Sequence, residues 1–349
     1  MKKKIAVIFG GQSSEHEVSC LSAMNVLEGL DRDKYEIHRI GITKEGYWLY
    51  VGDNAQIQDG SWVNETITAF ISPDRKKPGI LKVDGSHVKN IPIDVAFPVL
   101  HGLYGEDGTI QGLFELAGIP YVGCGVLASS ASMDKISTKV FADHIGIRQA
   151  AYVADISKDM SGIGKTMDEV EKRLGYPVFV KPSNAGSSRG VSKAHDRIEL
   201  EAAIRLAKEH DNRVLIEENI NGREVECAVL GGQDAEASVV GEILAAADFY
   251  DYDAKYNNAE SRTVIDPDLP ERIKEEIRRN AVSVFQVVSG FGLARVDFFV
   301  EADTNEVVFN EINTLPGFTN ISMYPMLWEA MGVGKAELLD RLIELAYTR

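Results

Sequence analysis

The chain has 349 residues, of which 44% are hydrophobic and 26% charged, so its composition is that of a globular protein with about two or three packed domains. Its net charge of −16, without an extended run of lysine and arginine, argues against nucleic acid or an anionic membrane as the main partner. The three cysteines are far apart and form no C-x-x-C pair, which argues against a disulfide framework and is typical of the reducing cytoplasm.

The N-terminal third alternates buried strands with glycine-rich loops. Strands are predicted at KIAVIFGG, YEIHRIGI and IDVAFPVL, and a helix at about Ser14–Leu30. This alternation indicates a parallel α/β sheet, whose ligands gather beyond the carboxyl ends of the strands. Glu17 and His101 lie near two such ends. Glu17 either complements the helix dipole or receives a substrate ammonium group, and His101 is at least as readily a structural residue as a catalytic one.

A strand in the central third ends at Lys181 and is followed by the small-residue loop SNAGSSRG. Such a loop can place backbone N–H groups and two hydroxyls over phosphate oxygens. It lacks the G-K-[ST] ending of a Walker A motif, and an ordinary flexible hairpin is the alternative. Upstream, Ser132 is predicted to cap a helix that carries Lys139 on its polar side. Further along, we predict a helix at about Ile198–His210 and strands at RVLIEEN and EVECAVLG.

The segment AAADFYDYDAKYNN is polar and aromatic without a clear period, and it contains Lys255 and Tyr256. Its tyrosines either pack the loop against the body of the protein or belong to a lid that excludes water from a site.

A hairpin is predicted within Arg295–Asn320, before a closing amphipathic helix at about Lys335–Tyr347. Pairing centred near Thr304 places Asp297 opposite Glu311 and Arg295 opposite Asn313, since side chains alternate faces along a strand. These oxygen ligands suit Mg²⁺ when water and phosphate complete the shell, and a hairpin with ordinary surface charges is the alternative. The loop TLPGFTN that follows can point backbone N–H groups at an anion.

Taken together, the motifs resemble those of the D-alanine–D-alanine ligases of the ATP-grasp superfamily, over essentially the whole chain. The matching segments are, in order, GGQSSEHEVS, VLHGLYGEDGTIQG, MDKISTK, VKPSNAGSSRG, LIEENINGREV, FYDYDAKY, ARVDFF and FNEINTLPGFT. The resemblance implies an α/β ATP-grasp fold with an N-terminal Rossmann-like parallel-sheet domain. The expected domains are residues 1–123, 124–218 and 219–349, with a lid at about 247–262.

The resemblance implies that two D-alanines are joined for peptidoglycan synthesis through a D-alanyl phosphate, with one ATP consumed. It also implies two Mg²⁺ ions, for which Mn²⁺ can substitute, a cytoplasmic homodimer and, in some members, a response to K⁺. Two alternatives stay open. One is a ligase of the glycopeptide-resistance type that makes D-Ala–D-Ser or D-Ala–D-Lac, and the other is a non-catalytic nucleotide-binding protein of the same fold.

Residue roles also follow from the resemblance. Glu17 would hold the first substrate's ammonium group and hydrogen-bond with Ser187 and Tyr256. Arg295 and the Gly317 N–H would form the oxyanion site. The residues expected to contact ATP are Lys139, Lys181, Ser188, Glu217, Glu224 and Lys255, and those expected to bind metal are Asp297, Glu311 and Asn313. The residues expected near the substrates are His101, Ser322 and Met323. Tyr256 and the segment NISMYP favour D-alanine as second substrate, whereas Arg189 departs from the apolar residue usual at that loop position.

Overall fold

The computed structural model describes residues 1–187, 189–244 and 262–349. Within these residues the chain forms three β-sheets, with seven, four and five strands in chain order. The strands of the three sheets span residues 3–99, 152–218 and 222–313. The expected domain boundaries after residues 123 and 218 are compatible with this order and remain a prediction. No helix among the described residues has the length and apolar character needed to cross a bilayer.

The first sheet combines a parallel core with an antiparallel extension. Its strands are β1 (Lys3–Gly10), β2 (Tyr35–Ile42), β3 (Trp48–Val51), β4 (Thr68–Ile71), β5 (Ile80–Asp84), β6 (His87–Ile91) and β7 (Val95–Val99), in the order β6-β5-β4-β3-β2-β1-β7. Strand β1 pairs in parallel with β2 and β7, as predicted, whereas β3 to β6 continue the sheet in antiparallel fashion. This extension carries little sequence signal, because its strands are short and partly exposed, unlike the almost continuously apolar β1.

The helices of the described ranges mostly cover faces of the sheets. They are α1 (His16–Gly29), α2 (Asn54–Asp59), α3 (Thr109–Ala117), α4 (Val126–Met133), α5 (Lys135–His144), α6 (Ile163–Arg173), α7 (Arg197–Lys208), α8 (Glu271–Val287), α9 (Met323–Ala330) and α10 (Lys335–Leu345), with a 3₁₀ turn at Ser61–Asn64. The predicted cap at Ser132 is wrong, because Ser132 lies in the last turn of α4. Instead Asp134 caps α5, and its carboxylate accepts a hydrogen bond from the Ser137 N–H at 2.7 Å.

The second sheet places the predicted lysine strand beside its acidic neighbour. Its strands are β8 (Tyr152–Asp155), β9 (Val178–Pro182), β10 (Ser192–Ala194) and β11 (Val214–Glu218), in the order β10-β9-β11-β8 with antiparallel pairing. Lys181 lies near the end of β9 and Glu217 near the end of β11. The sheet therefore brings a cation and an anion to neighbouring strands.

The third sheet contains the predicted hairpin. Its strands are β12 (Gly222–Gly231), β13 (Glu236–Leu244), β14 (Arg262–Ile265), β15 (Gly292–Glu301) and β16 (Val307–Asn313), in the order β14-β13-β12-β15-β16. The predicted register is confirmed, since Arg295 pairs with Asn313 and Asp297 with Glu311. The register shifts just after Asp297, where Phe298 pairs with Phe309.

One hydrophobic core joins the first sheet to the last helices of the chain. Buried side chains of β1, including Phe9, belong to the same cluster as Trp328 of α9 and Leu339 of α10. Burial of this shared apolar surface fixes the carboxyl ends of β1 and β7 near the end of the hairpin. The N-terminal and C-terminal parts of the chain therefore build one site together.

Candidate active site

A cavity of about 780 Å³ lies where the three sheets meet. The first sheet contributes loop residues that follow β1 and β7, the second contributes the ends of β9 and β11, and the third contributes β12, β15 and β16. Its charged and hydroxyl-bearing lining includes Glu15, Glu106, Lys181, Ser187, Glu217, Glu224, Glu226, Arg295, Asp297 and Glu311. This volume suits a small organic ligand.

Two lysines converge on one carboxylate at the second sheet. Lys139 Nζ lies 2.6 Å from Glu217 Oε1, and Lys181 Nζ lies 2.6 Å from Glu217 Oε2. Lys139 is only 2% exposed and Glu217 only 4%, so solvent screens this cluster poorly. Burial alone would raise the pKa of Glu217, but the two ammonium groups outweigh it and lower the pKa to about 2. The cluster thus retains one excess positive charge, which favours an anionic ligand.

The hairpin gathers an arginine, two carboxylates and an amide. Arg295 donates from Nε and Nη2 to the two carboxylate oxygens of Asp297, at 2.8 and 2.7 Å. Asn313 Nδ2 donates to Asp297 Oδ2 at 3.0 Å. Burial opposes the charge of Arg295, but Asp297 and Glu226 outweigh it and raise the pKa of Arg295 well above its ordinary value. The arginine is therefore held as a fixed cation in the cavity wall.

The donor set at the hairpin fits a divalent ion that also binds phosphate. Asp297 and Glu311 face each other across the hairpin, and Asn313 lies beside them. Across the described ranges, no three His, Cys, Asp or Glu side chains converge as an all-protein metal site would require. Two carboxylates and an amide leave several positions for water and phosphate oxygens, which is the usual arrangement for Mg²⁺.

Glu17 lies outside the cavity, contrary to the role expected for it. It is exposed in the first turn of α1 and forms an ion pair with Lys44, whose hydrogen bond lowers the pKa of Glu17. Glu15, two residues earlier at the N-cap position of α1, lines the cavity instead. Residues two apart at a helix start do not share a face, so only one of these carboxylates can point into the site.

Like Glu15, Glu106 is an acidic residue of the cavity lining that was not predicted from the sequence. Its carboxylate accepts hydrogen bonds from the Gly102 N–H and the Leu315 N–H, both at 2.9 Å. Burial, and secondly the nearby Glu15 carboxylate, raise the pKa of Glu106 to about 7. The sequence signals for it are its position in the loop after β7 and within the matching segment VLHGLYGEDGTIQG, whereas its contact with Leu315 joins residues far apart in the chain.

The residues expected near the substrates are not among those that line the cavity. His101 is buried outside the lining, with Nδ1 at 2.8 Å from the Leu315 carbonyl oxygen and Nε2 at 3.2 Å from Ser22 Oγ. Ser322 occupies the N-cap position of α9, and its Oγ accepts a hydrogen bond from the Thr319 N–H at 2.9 Å. A Cβ atom at Gly317 would lie 2.8 Å from Ser322 Oγ, so these two residues are adjacent. The side chain of Met323 is buried in the shared core.

The small-residue loop after β9 borders the cavity through Ser187. The backbone of Ser187 has a φ of 51°, and the Ser187 hydroxyl has no hydrogen-bond partner within the described part of the chain. Arg189 is exposed. Ser188, Lys255 and Tyr256 lie outside the described residues, as does the expected lid apart from its last residue.

Comparisons with known proteins agree over the full length of the chain. The family model described as D-ala D-ala ligase N-terminus matches residues 4–124, and the one described as D-ala D-ala ligase C-terminus matches residues 141–344. A D-alanine–D-alanine ligase of Acetivibrio thermocellus is 53% identical over 100% of this chain and 96% of its own length. One of Clostridium acetobutylicum is 47% identical over 100% of this chain and 99% of its own length.

Solved structures give the same family. The VanG D-Ala:D-Ser ligase from Enterococcus faecalis is 40% identical and superimposes with a TM-score of 0.89, over 99% of this chain and 100% of that one. The D-alanine–D-alanine ligase from Coxiella burnetii is 35% identical with a TM-score of 0.83, over 100% of this chain and 96% of that one. With its cavity built from all three sheets, the chain belongs to the D-alanine–D-alanine ligase family and has the ATP-grasp fold.

Proposed function

We propose that this protein joins two D-alanines into D-alanyl-D-alanine at the expense of ATP, for peptidoglycan synthesis. The observation that carries the proposal is one cavity with two functional walls. At one wall Lys181 supplies a cation, and the buried Lys139 lies behind it on the same carboxylate, Glu217. At the other wall Arg295 and Asp297 supply a fixed cation and a metal ligand. Identity of 53% to a D-alanine–D-alanine ligase over the full chain supports this substrate.

The lysine wall would hold the nucleotide. Phosphate oxygens of ATP would compete with Glu217 for the two ammonium groups, which neutralise charge as the phosphoryl group moves. Glu224, which lines the same cavity, would accept hydrogen bonds from the ribose hydroxyls. Ser188 and Lys255 would also contact the phosphates of ATP.

The hairpin wall would hold Mg²⁺, which would neutralise the charge of the phosphate groups when bound. We assign its protein ligands to Asp297, Glu311 and Asn313, with two ions in the complete complex and Mn²⁺ as a substitute. Asp297 would then divide its oxygens between the metal and Arg295.

The first-sheet side would hold the amino acids. We assign the ammonium group of the first D-alanine to Glu15 rather than Glu17, with Ser187 and Tyr256 as its expected hydrogen-bonding partners. The carboxylate of that D-alanine would attack the γ-phosphate, giving an acyl phosphate and ADP. The amine of the second D-alanine would then attack the carbonyl carbon, and inorganic phosphate would leave.

The oxyanion formed in this second step would be held by Arg295 and the Gly317 N–H. Ser322 and the Met323 N–H at the start of α9 would receive the carboxylate of the second D-alanine. His101 would contribute by orienting the Leu315 segment, because its ring contacts that backbone.

The test incubates the purified protein with ATP, Mg²⁺ and D-alanine, alone or with D-serine or D-lactate in competition, and identifies the products by mass. Predominant D-Ala–D-Ala supports the proposal. Predominant D-Ala–D-Ser or D-Ala–D-Lac would move the protein to the resistance class, and ATP binding without any amino-acid-dependent phosphate release would indicate a non-catalytic protein. We further propose that the protein is a cytoplasmic homodimer, and light scattering measures its oligomeric state. Replacing K⁺ by Na⁺ in the assay tests whether the activity responds to the monovalent cation.

A further inference from the structure

We propose that Glu226 is a positioning residue that holds Arg295 in place while Asp297 binds the metal. This inference rests on the proposed function. Glu226 lies in the middle of β12, is 3% exposed, and lines the cavity. We assign it this role from the pairing of β12, β15 and β16.

The strand register places Glu226 next to Arg295 and Asp297. Glu226 of β12 pairs directly with Asp297 of β15, which in turn pairs with Glu311 of β16. Paired residues of neighbouring strands have side chains on the same face, and Arg295, two residues before Asp297, shares that face. Arg295 Nε donates a hydrogen bond to Asp297 Oδ1 at 2.8 Å and lies 3.1 Å from Glu226 Oε2, so Glu226 forms an ion pair with the same guanidinium group.

A buried arginine needs an anion close by, because breaking a buried ion pair leaves an uncompensated charge. Asp297 serves as that anion in the structure, yet Asp297 is also an expected metal ligand. When Asp297 gives an oxygen to the metal, its negative charge is shared, and Glu226 remains as the second anion beside Arg295. Without Glu226, Arg295 and the metal would compete for Asp297.

Two measurements follow from this competition. In Glu226→Gln, the dissociation constant of Mn²⁺ should rise about 10- to 100-fold, a range typical of partners that orient a metal ligand. It is measured by electron paramagnetic resonance on the complex with a non-hydrolysable ATP analogue. At saturating metal, kcat for dipeptide formation should fall by about tenfold or more, while KM for ATP changes less than about threefold.

Glu226→Asp separates position from charge. It keeps the negative charge but shortens the side chain by one methylene, so the 3.1 Å contact with Arg295 Nε lengthens. Positioning predicts a kcat between those of the wild type and Glu226→Gln. A Glu226→Asp variant with Mn²⁺ affinity and kcat no better than those of Glu226→Gln would overturn the proposal, because a second anion beside Arg295 would then have no effect.

Asp155→Asn is the matched control for loss of a buried, paired carboxylate. Asp155 is 4% exposed, lies 3.6 Å from Lys208 Nζ, and is outside the cavity lining. It should lower the melting temperature without changing Mn²⁺ affinity. Mn²⁺ affinity and kcat within about twofold of wild type in Glu226→Gln would refute the role of Glu226. Absence of any dipeptide with the wild-type protein would instead refute the proposed function, and the Mn²⁺ titration would still decide the role of Glu226.

Discussion

Glu217→Gln tests whether the two-lysine cluster is held together by one ionised carboxylate. The substitution keeps the size of the side chain and removes its charge, leaving two buried ammonium groups with a neutral partner. A carboxyl pKa held at about 2 instead of 4.5 corresponds to about 3 kcal/mol of stability at neutral pH. Breaking a buried ion pair typically costs about 3–5 kcal/mol, so the pKa and the ion-pair estimates predict a similar loss of stability for Glu217→Gln.

The pH dependence distinguishes a lost charge from a packing defect. Because the pKa of Glu217 is lowered by folding, its contribution is fully present above pH 4.5 and is lost as the pH falls toward 2. The free energy of unfolding of wild type and variant should therefore differ by a constant amount from pH 7 to about 5, and the difference should narrow below that. Urea unfolding at a series of pH values from 7 to 3 measures it.

Glu218→Gln is the neighbouring control. Glu218 forms an ion pair with Arg148 at 3.2 Å, and both side chains are partly exposed, so its loss should cost less than about 1 kcal/mol. Saturating ATP should reduce the deficit of Glu217→Gln, since phosphate oxygens replace the missing carboxylate. An equal deficit at pH 7 and pH 3 would refute the electrostatic argument, because steric damage does not titrate.

Three further predictions concern the substrate side. Glu15→Gln should raise KM for D-alanine by about 10- to 100-fold, which corresponds to the loss of one charge-assisted hydrogen bond, whereas Glu17→Gln should leave KM within about threefold. Phosphate release measured against D-alanine concentration gives both KM values. Equal effects of the two substitutions would contradict the assignment of the ammonium group to Glu15. Gly317→Ala should lower kcat by about tenfold or more, because the added Cβ would lie 2.8 Å from Ser322 Oγ and displace the Gly317 N–H from the oxyanion site. An unchanged kcat with a normal melting temperature would contradict the placement of the Gly317 N–H in the oxyanion site. The pKa of Glu106 is raised to about 7, so this residue contributes stability below pH 4.5 that is lost as the pH rises through 7. Glu106→Gln should therefore become more stable relative to wild type as the pH rises from about 4 to about 8, by about 3 kcal/mol at most, and urea unfolding that shows no such trend would refute the pKa.

The sequence predicts best what is periodic and local. The hairpin register followed from side-chain alternation and one turn, and the pairing of Asp297 with Glu311 agrees with it. The parallel core of the first sheet followed from continuous apolar strands. The antiparallel strands β3 to β6 did not, because short half-exposed strands carry too few apolar residues to establish a period.

The sequence predicts less well which of two neighbouring residues faces the site. Glu15 and Glu17 lie in one motif, and only the point at which α1 begins decides which carboxylate enters the cavity. Glu106 lies within the segment VLHGLYGEDGTIQG, which gives it no role, and Glu226 lies just after the segment LIEENINGREV. Glu106 meets Leu315 only when the loop after β7 packs against the segment after the hairpin, and Glu226 meets Arg295 only when β12 pairs with β15.

These two carboxylates show how the cavity is assembled. Glu106 belongs to the loop after β7, yet it accepts a hydrogen bond from the Leu315 N–H that follows the hairpin. Glu226 belongs to β12, yet it shares Arg295 with Asp297 on β15. Each ties a group expected to bind substrate or metal to an element from another part of the chain. Because such a contact is lost when either element moves, the chemistry of the hairpin depends on the packing of the first sheet against the last helices. A substitution in that shared core, far from the cavity, should therefore lower kcat as well as stability.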